Sequence, residues 1–202
     1  MSDISSLAAT PALAGVARPG RYGRRDGEAG VTLSERALVG LASVAARKGQ
    51  AAALKDAVRA ACGVALPDGS RLVAGPEVGF IGTGPGQWLA VSERTPRGAL
   101  AEGLAATLKG LASVSDQSDG RAVIRIAGPH ARAVLAKGLP IDLHSSAFRP
   151  GSAATSIINL MGVTLWQVDE TPTYDVAVFR SLAGSFWAWL TDSAAEFGYA
   201  VA

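Results

Sequence analysis

The chain has 202 residues, of which 49% are hydrophobic and 18% are charged, and its formal net charge at pH 7 is +2. A chain of this length can bury a sizeable core, either as one large domain or as two fused small ones. The near balance of 19 basic and 17 acidic residues argues against a nucleic-acid-binding protein, which carries a clustered basic face. The only cysteine, Cys62, excludes a framework of internal disulfides.

The mean hydropathy of +0.24 is high, but it comes largely from alanine and valine rather than from a long apolar block. No stretch approaches the roughly eighteen uninterrupted apolar residues that a membrane span needs. Residues 1–15 contain Asp3 and lack a basic start, a composition that is atypical of a signal peptide. We therefore expect a cytoplasmic protein that does not enter a membrane.

Residues 1–30 show no hydrophobic period and are rich in proline and glycine, which predicts an extended N-terminal arm without a core of its own. A basic cluster in this arm is followed at once by Asp26 and Glu28, so a solvated arm, or one lying across a partner, is favoured over a phosphate-binding arm. The cluster consists of Arg18, Arg21, Arg24 and Arg25. We expect the arm to supply no strand to the body and to become ordered on a partner through spaced apolar anchors, namely Leu7, Leu13, Val16 and Tyr22.

Residues 31–118 predict a first folded half with the element order β-α-β-β-α-β. The segment 34–46 fits a strand or a helix by its periodicity, and a strand is favoured because Lys48-Gly49 interrupts the apolar run before a clear helix. That helix, over 50–62, is predicted to end at Gly63. The remaining elements are a hairpin with strands over 77–83 and 87–92, a helix from Pro96 and a strand over 112–118.

Residues 119–202 predict a second half with the same rhythm, so the chain is expected to be an α+β protein built of two ferredoxin-like halves. The repeat is one of element order, with little sequence identity behind it. Gly162 and the segment 170–172 are interpreted as turns between three successive strands. The predicted elements are a strand over 122–127, a short helix after Gly128-Pro129, strands over 152–160, 163–168 and 174–181, and a helix over 184–197.

The glycine run Gly82-Thr83-Gly84-Pro85-Gly86 has the composition of a nucleotide-binding loop. A dinucleotide fingerprint needs a helix directly after it, so that the N-terminus of the helix meets the pyrophosphate. Here a second strand follows the run, and Pro85 lacks an amide donor. The run therefore indicates a hairpin turn rather than a nucleotide site.

The residue types that hold metals or act as nucleophiles do not occur with a diagnostic spacing. The two histidines, His130 and His144, are far from Cys62 in sequence, so a metal site would have to be assembled by the fold. His130 lies in the first turn of a predicted helix, where free amides could bind an anion, although an ordinary surface helix start is favoured. Asp119, His144 and Ser145 would form a triad only if the fold brought them together.

Cys62 is expected to be inert, because the C-terminus of a helix raises the pKa of a nearby thiol. The tryptophans are expected to build mainly core, although their number leaves one or two to face a partner. They are Trp88, Trp166, Trp187 and Trp189. The residues by themselves thus predict no catalytic, cofactor-binding or metal site, which favours a subunit or binding module over a self-sufficient enzyme.

From Gly84 to the C-terminus, the chain carries a series of short motifs in a definite order. The series resembles the gamma subunit of heterotetrameric sarcosine oxidase over about the last three fifths of the chain, and the earlier part matches more loosely. The motifs are Gly84-Pro85-Gly86-Gln87-Trp88-Leu89, Val114-Ser115-Asp116-Gln117-Ser118 with Arg121, Ile126-Ala127-Gly128-Pro129-His130-Ala131-Arg132, Leu135-Ala136-Lys137-Gly138, Ile141-Asp142-Leu143 with Phe148, Tyr174-Asp175-Val176, Arg180-Ser181 and the helical segment 186–190.

This resemblance implies a bacterial complex that oxidatively demethylates sarcosine to glycine, passes the one-carbon unit to tetrahydrofolate and makes hydrogen peroxide. It implies alpha, beta and delta subunits as partners. It also implies FAD, FMN, NAD and tetrahydrofolate in the larger subunits and zinc in the smallest one. The gamma subunit itself is implied to be non-catalytic, to hold none of these cofactors and to contribute to assembly.

The same resemblance implies a fold similar to the folate-binding domain of the glycine-cleavage T protein. A free-standing folate-binding or aminomethyltransferase-like protein is therefore the alternative function. Iron–sulfur-assembly relatives of the T protein bear a Lys-Gly-Cys-Tyr-x-Gly-Gln stretch, whereas Cys62 here lies in Ala-Ala-Cys-Gly-Val. This departure argues against a free-standing folate-dependent repair protein.

Overall fold

The secondary structure alternates between short strands and amphipathic helices along residues 10–37 and 39–202, which the computed structural model describes. The strands are β1 (Gly20–Tyr22), β2 (Val31–Glu35), β3 (Gly40–Ala46), β4 (Leu72–Val73), β5 (Gly79–Gly84), β6 (Gln87–Ser92), β7 (Ala112–Asp116), β8 (Arg121–Ala127), β9 (Ala153–Ile158), β10 (Met161–Asp169), β11 (Thr173–Phe179) and β12 (Tyr199–Val201). The helices are α1 (Ala51–Cys62), α2 (Ala99–Thr107), α3 (Ala131–Ala136) and α4 (Ala183–Ala194), and short 3-10 turns flank α4.

A five-stranded sheet with the order β4-β5-β6-β3-β7 contains the first predicted half. β3 lies between β6 and β7, and the order β5-β6-β3-β7 is the ferredoxin-like arrangement of a β-α-β-β-α-β unit. The end of α1 is confirmed, because Gly63 has a left-handed φ of 67° and its N–H donates to the carbonyl of Arg59. The predicted hairpin is also confirmed as β5 and β6, with a register shift between Gly82 and Gly84.

A seven-stranded sheet with the order β1-β12-β2-β8-β11-β10-β9 contains the second predicted half. It repeats the ferredoxin-like order in β12, β8, β11 and β10, with β2 inserted between β12 and β8 and with β1 and β9 added at the edges. β2 pairs in parallel with β12 and antiparallel with β8, so its backbone groups are satisfied on both sides. β2 comes from the N-terminal part of the chain and is thus an interior strand of the sheet that the C-terminal half forms.

The single strand predicted over 34–46 is wrong, because the structure has β2 and β3 there, in different sheets. The chain crosses between the sheets from Glu35 to Gly40, and Leu38, within this crossing, lies outside the described residues. Arg36 interrupts the apolar run and forms ion pairs at the crossing. The predicted halves 31–118 and 119–202 therefore do not coincide with the two sheets.

Part of the predicted N-terminal arm belongs to the folded body, which corrects the expectation that the arm supplies no strand. β1 pairs with β12 at the edge of the seven-stranded sheet. Leu13 is 1% exposed in the core of that sheet, and the carboxylate of Glu35 accepts hydrogen bonds from the N–H groups of Ala12 and Leu13. Single residues make these contacts, so no periodic pattern revealed them. Leu7 lies outside the described residues.

The turn between β9 and β10 lies at Asn159-Leu160 rather than at Gly162, which is inside β10. Both turn residues have left-handed backbone angles, with φ of 46° and 67°, as in the type I′ turns that suit the twist of a hairpin. Asparagine tolerates this conformation, whereas for leucine it costs roughly 1–2 kcal/mol. The predicted turn at 170–172 is confirmed between β10 and β11.

The two sheets pack face to face, and the helices cover their outer faces. On β8, Ile124 and Ile126 point toward α3 and α4, whereas Val123 points toward the five-stranded sheet. The layer between the sheets contains a small apolar group formed by Val39, Leu41, Ile81, Leu89, Val123, Ala153, Trp166 and Ala177. This apolar group fills only the middle of the layer, and polar side chains line both of its ends. The candidate site lies among these polar side chains.

Candidate functional site

A buried carboxylate marks one end of the cleft between the sheets. Asp175 on β11 lies opposite Arg125 on β8, and strand alternation directs both side chains toward the five-stranded sheet. Nε and Nη2 of Arg125 donate to the two carboxylate oxygens of Asp175, each at 2.7 Å. This bidentate geometry is the strong form of an arginine–carboxylate pair.

Arg36 extends this pair into a cluster that joins the two sheets. Its Nη1 lies 3.4 Å from Oδ2 of Asp175, and its Nη2 lies 2.5 Å from Oε1 of Glu93, which follows β6 of the five-stranded sheet. The hydrogen bonds that Arg125 donates to Asp175 raise the pKa of Arg125 above its ordinary value. Two guanidinium groups thus occupy the Asp175 carboxylate, which makes it unsuitable as a free general base.

A cavity of about 340 Å³ adjoins this cluster and is open to solvent. Its wall combines apolar residues, such as Trp166 and Val168, with charges of both signs from Glu77, Glu93 and Arg94. The volume is near the lower limit for small-molecule sites, and the opposite charges compensate each other locally. This end of the cleft therefore favours a role in holding the sheets together.

The opposite end of the cleft contains an arginine in a different situation. Arg121, on β8, lines a cavity of about 420 Å³ together with the hydroxyl-bearing residues Ser43, Thr83, Thr155 and Thr164. Burial lowers the pKa of Arg121 below its ordinary value. In the described part of the chain, Arg121 forms no ion pair with a carboxylate.

The glycine run 82–86 is confirmed as a hairpin turn and does not form a phosphate cradle. Gly86 has a left-handed φ of 67°, which suits the turn between β5 and β6. Gly82 is required for another reason, because a Cβ atom there would lie 2.0 Å from the carbonyl oxygen of Gly69. The run is followed by the strand β6, so no helix begins directly after it.

The hydrogen bonds of the described residues do not join Asp119, His144 and Ser145 into a triad. Asp119 is paired with Arg97 at 3.1 Å, and Nδ1 of His144 contacts the hydroxyl of Ser146 at 2.7 Å. All three candidate side chains are on the exposed surface. Asp119 and His144 are therefore bound to groups outside the candidate triad.

His130 is at the start of α3, where its ring stacks on Phe197 with 4.5 Å between ring centroids. α3 has only six residues, which makes it a weak anion site. Among residues 10–37 and 39–202, histidine, cysteine and carboxylate side chains form no group of three or more that could hold a metal ion. None of the helices in that part of the chain is long and apolar enough to cross a membrane.

Three of the four tryptophans are core residues: Trp88, Trp166 and Trp187 are at most 5% exposed. Trp189 is half-buried at the margin of the larger core, where it packs beside Gly138. Most of the tryptophan side chains therefore pack in the core, and Trp189 is the one that reaches the surface. Cys62 is also half-buried, and burial raises the pKa of its thiol above the ordinary value of 9.0.

We expect Cys62 to react with iodoacetamide several times more slowly in the folded chain than in the urea-unfolded chain at about pH 8. The thiolate is the reactive form, and a raised pKa lowers its population at this pH. Mass spectrometry of timed samples measures both rates. A folded-state rate equal to or above the unfolded rate would show that Cys62 is an activated thiol.

The residues of the ion-pair cluster could not be assigned from sequence, although a signal exists for them. Asp175 is the single charge within 174–179, and Arg125 is the single charge within 122–127, in otherwise apolar strand patterns. A lone charge in a strand buried on both faces needs a partner on the next strand. Only the register of β8 against β11 shows that these two residues are opposite each other.

Comparison with known proteins identifies close sequence relatives. Residues 46–196 match the sarcosine oxidase, gamma subunit family. Sarcosine oxidase subunit gamma from Corynebacterium sp. (strain U-96) is 33% identical over 210 residues, covering 99% of this chain and 96% of that protein. The protein of the same name from Arthrobacter sp. is 35% identical over 164 residues, covering 79% of this chain and 76% of that protein.

Solved structures agree with this assignment. Heterotetrameric sarcosine oxidase from Corynebacterium sp. U-96, in complex with pyrrole 2-carboxylate, contains a chain that matches with a TM-score of 0.76 and 31% identity, over 87% of this chain and 88% of that one. The glycine cleavage system aminomethyltransferase T from Bartonella henselae, at 16% identity and a TM-score of 0.64 over 86% of this chain and 48% of that one, shares the fold. The predicted α+β fold and the resemblance seen in the sequence are both confirmed: the chain belongs to the sarcosine oxidase gamma subunit family.

Proposed function

We propose that this chain is the gamma subunit of a heterotetrameric sarcosine oxidase and serves the assembly of the complex rather than its chemistry. The observation that carries the proposal is the match, with a TM-score of 0.76 over 87% of the chain, to a chain of a heterotetrameric sarcosine oxidase. The whole complex would convert sarcosine, O₂ and tetrahydrofolate to glycine, hydrogen peroxide and methylenetetrahydrofolate.

In this proposal the alpha, beta and delta subunits are the partners, and FAD, FMN, NAD, tetrahydrofolate and zinc reside in them. The site geometry supports a non-catalytic role. The buried acid Asp175 is bound by Arg125 and Arg36, and the ring of His130 is stacked on Phe197. The glycine run forms a hairpin, so it does not fit the phosphates of a flavin or nicotinamide dinucleotide. The complex would act in the cytoplasm.

Co-expression tests this proposal directly. We expect the tagged chain to co-purify with the alpha, beta and delta subunits of the same organism and to elute with them as one complex. That complex should form hydrogen peroxide from sarcosine, whereas the isolated chain should be colourless and inactive. A bound flavin, or sarcosine turnover by the isolated chain, would contradict the non-catalytic role, and failure to co-purify would contradict the subunit assignment.

The fold shared with aminomethyltransferase T favours a second candidate, a free-standing folate-binding protein. Isothermal titration of the isolated chain with tetrahydrofolate separates the two. We expect no stoichiometric binding by the isolated chain, with the assembled complex as the positive control. Tight binding at one site per isolated chain would instead establish the second candidate.

A further inference from the structure

Three successive cross-strand rows lie on the inner face of the seven-stranded sheet, and the other sheet covers two of them. The first row is Arg125, Asp175, Trp166 and Ala153, and the second is Val123, Ala177, Thr164 and Thr155. Members of both rows pack against Leu41, Ile81 and Leu89 of the five-stranded sheet. The third row lies outside this packed layer and consists of Arg121, Phe179, Gly162 and Ile157, which we name the open row.

Apart from Arg121, the open row is apolar, and its large side chains are solvent-exposed. Phe179 is 46% exposed and Ile157 is 51% exposed, and Leu160, in the turn that joins β9 to β10, is 91% exposed. Between Phe179 and Ile157, a Cβ atom placed on Gly162 would meet no atom within 4 Å. The row therefore has a shallow depression with apolar sides, and a strained, exposed leucine at its border.

Arg121 adds an uncompensated charge at one end of the open row. Its guanidinium lies over the ring of Phe179, with 4.7 Å between Cζ and the ring centroid. Its Nε is buried and has no hydrogen-bond partner among residues 10–37 and 39–202. A half-buried cation without a carboxylate is costly in a free chain, and an acid supplied from outside would remove that cost.

We propose that the open row is a docking surface for another subunit of the oxidase, which places an apolar side chain over Gly162 and a carboxylate against Arg121. This inference rests on the proposed function, since it needs the chain to be part of a complex. Permanent subunit interfaces are apolar at their centre and are often anchored by an aromatic residue and an arginine. Phe179 and Arg121, in contact with each other, supply such a pair.

Charge complementarity decides against a second copy of this chain as the occupant. The open row contains no acidic residue, so a symmetric pairing of two such rows would leave both Arg121 side chains without a carboxylate. A carboxylate must therefore come from a different surface. A free small anion could reach Arg121 through the adjoining cavity, but it would leave the apolar side chains of the row uncovered.

Competitive incorporation into the complex tests the proposal. The alpha, beta and delta subunits are co-expressed with a wild-type chain and a variant chain that carry tags of different length. The ratio of the two chains in the purified complex, divided by their ratio in the lysate, measures relative affinity. We expect the ratio to fall at least about 30-fold for Arg121→Gln and for the double variant Ile157→Ser/Phe179→Ser.

The matched control is Val168→Ser, which changes an exposed apolar residue on the same strand as Gly162 but outside the open row and should be incorporated like wild type. The isolated Arg121→Gln chain should keep the wild-type thermal midpoint or exceed it, because it loses an unpaired, half-buried charge.

Equal incorporation of the open-row variants, or an equal loss for the control, would overturn the docking surface while the complex itself still forms. Binding of acetate or phosphate to the isolated chain that Arg121→Gln abolishes, with incorporation unchanged, would also overturn it in favour of a small-anion site. If no complex forms with the wild-type chain, the proposed function fails first.

Discussion

Replacing Asp175 by alanine is expected to lower the free energy of unfolding of the isolated chain by about 3–5 kcal/mol. The side chain of Asp175 is 5% exposed, and its carboxylate is the acceptor for Arg125 and, at 3.4 Å, for Arg36. Alanine would leave two partly buried guanidinium groups without this carboxylate at the junction of the two sheets. Breaking one side of a buried ion pair is strongly destabilising for this reason.

Urea unfolding followed by tryptophan fluorescence measures this effect, because Trp166 is the residue opposite Asp175 on β10. Glu93→Ala is the matched control within the same cluster. The side chain of Glu93 is 61% exposed, so its pair with Arg36 is screened by solvent and should contribute less than about 1 kcal/mol. Similar losses for the two variants would show that the cluster acts as a surface network rather than as a buried support.

Leu13→Ala is expected to destabilise the chain by about 2–5 kcal/mol, the range for removing a large aliphatic side chain from a core. Leu13 is 1% exposed and belongs to the core of the seven-stranded sheet, although it comes from a proline- and glycine-rich segment. Removing residues 1–28 would delete this side chain together with β1. Such a truncation should therefore destabilise the body, in contrast to the behaviour of an arm without a core.

Val16→Ala is the matched control for Leu13→Ala, since it shortens an aliphatic residue three positions away that is 53% exposed. We expect it to change the free energy of unfolding by less than about 0.5 kcal/mol. Urea denaturation with equal m-values for both variants would show that only stability has changed. If Leu13→Ala were as harmless as Val16→Ala, the N-terminal segment would not be part of the core.

Elements with a strong local pattern could be predicted from the sequence. The helix 50–62 and its end at Gly63, the hairpin around residues 84–86, and the strand 122–127 all appear within a few residues of their predicted limits. Each depends on information that neighbouring residues carry, namely an apolar period or a turn residue. The prediction of a single strand over 34–46 was wrong because one long strand and two strands in different sheets give the same apolar pattern there.

Local sequence patterns were sufficient to predict the family, the α+β class and the elements with a strong apolar period. Three features required the folded structure. β2 enters the sheet of the second half, Arg125 meets Asp175 across β8 and β11, and Arg121 and Phe179 lie outside the layer that the other sheet covers. Strand pairing is non-local, which explains this division: alternation along a strand shows which face is apolar, whereas register, neighbour and cover depend on distant residues, as with Arg125 and Asp175, which are 50 positions apart.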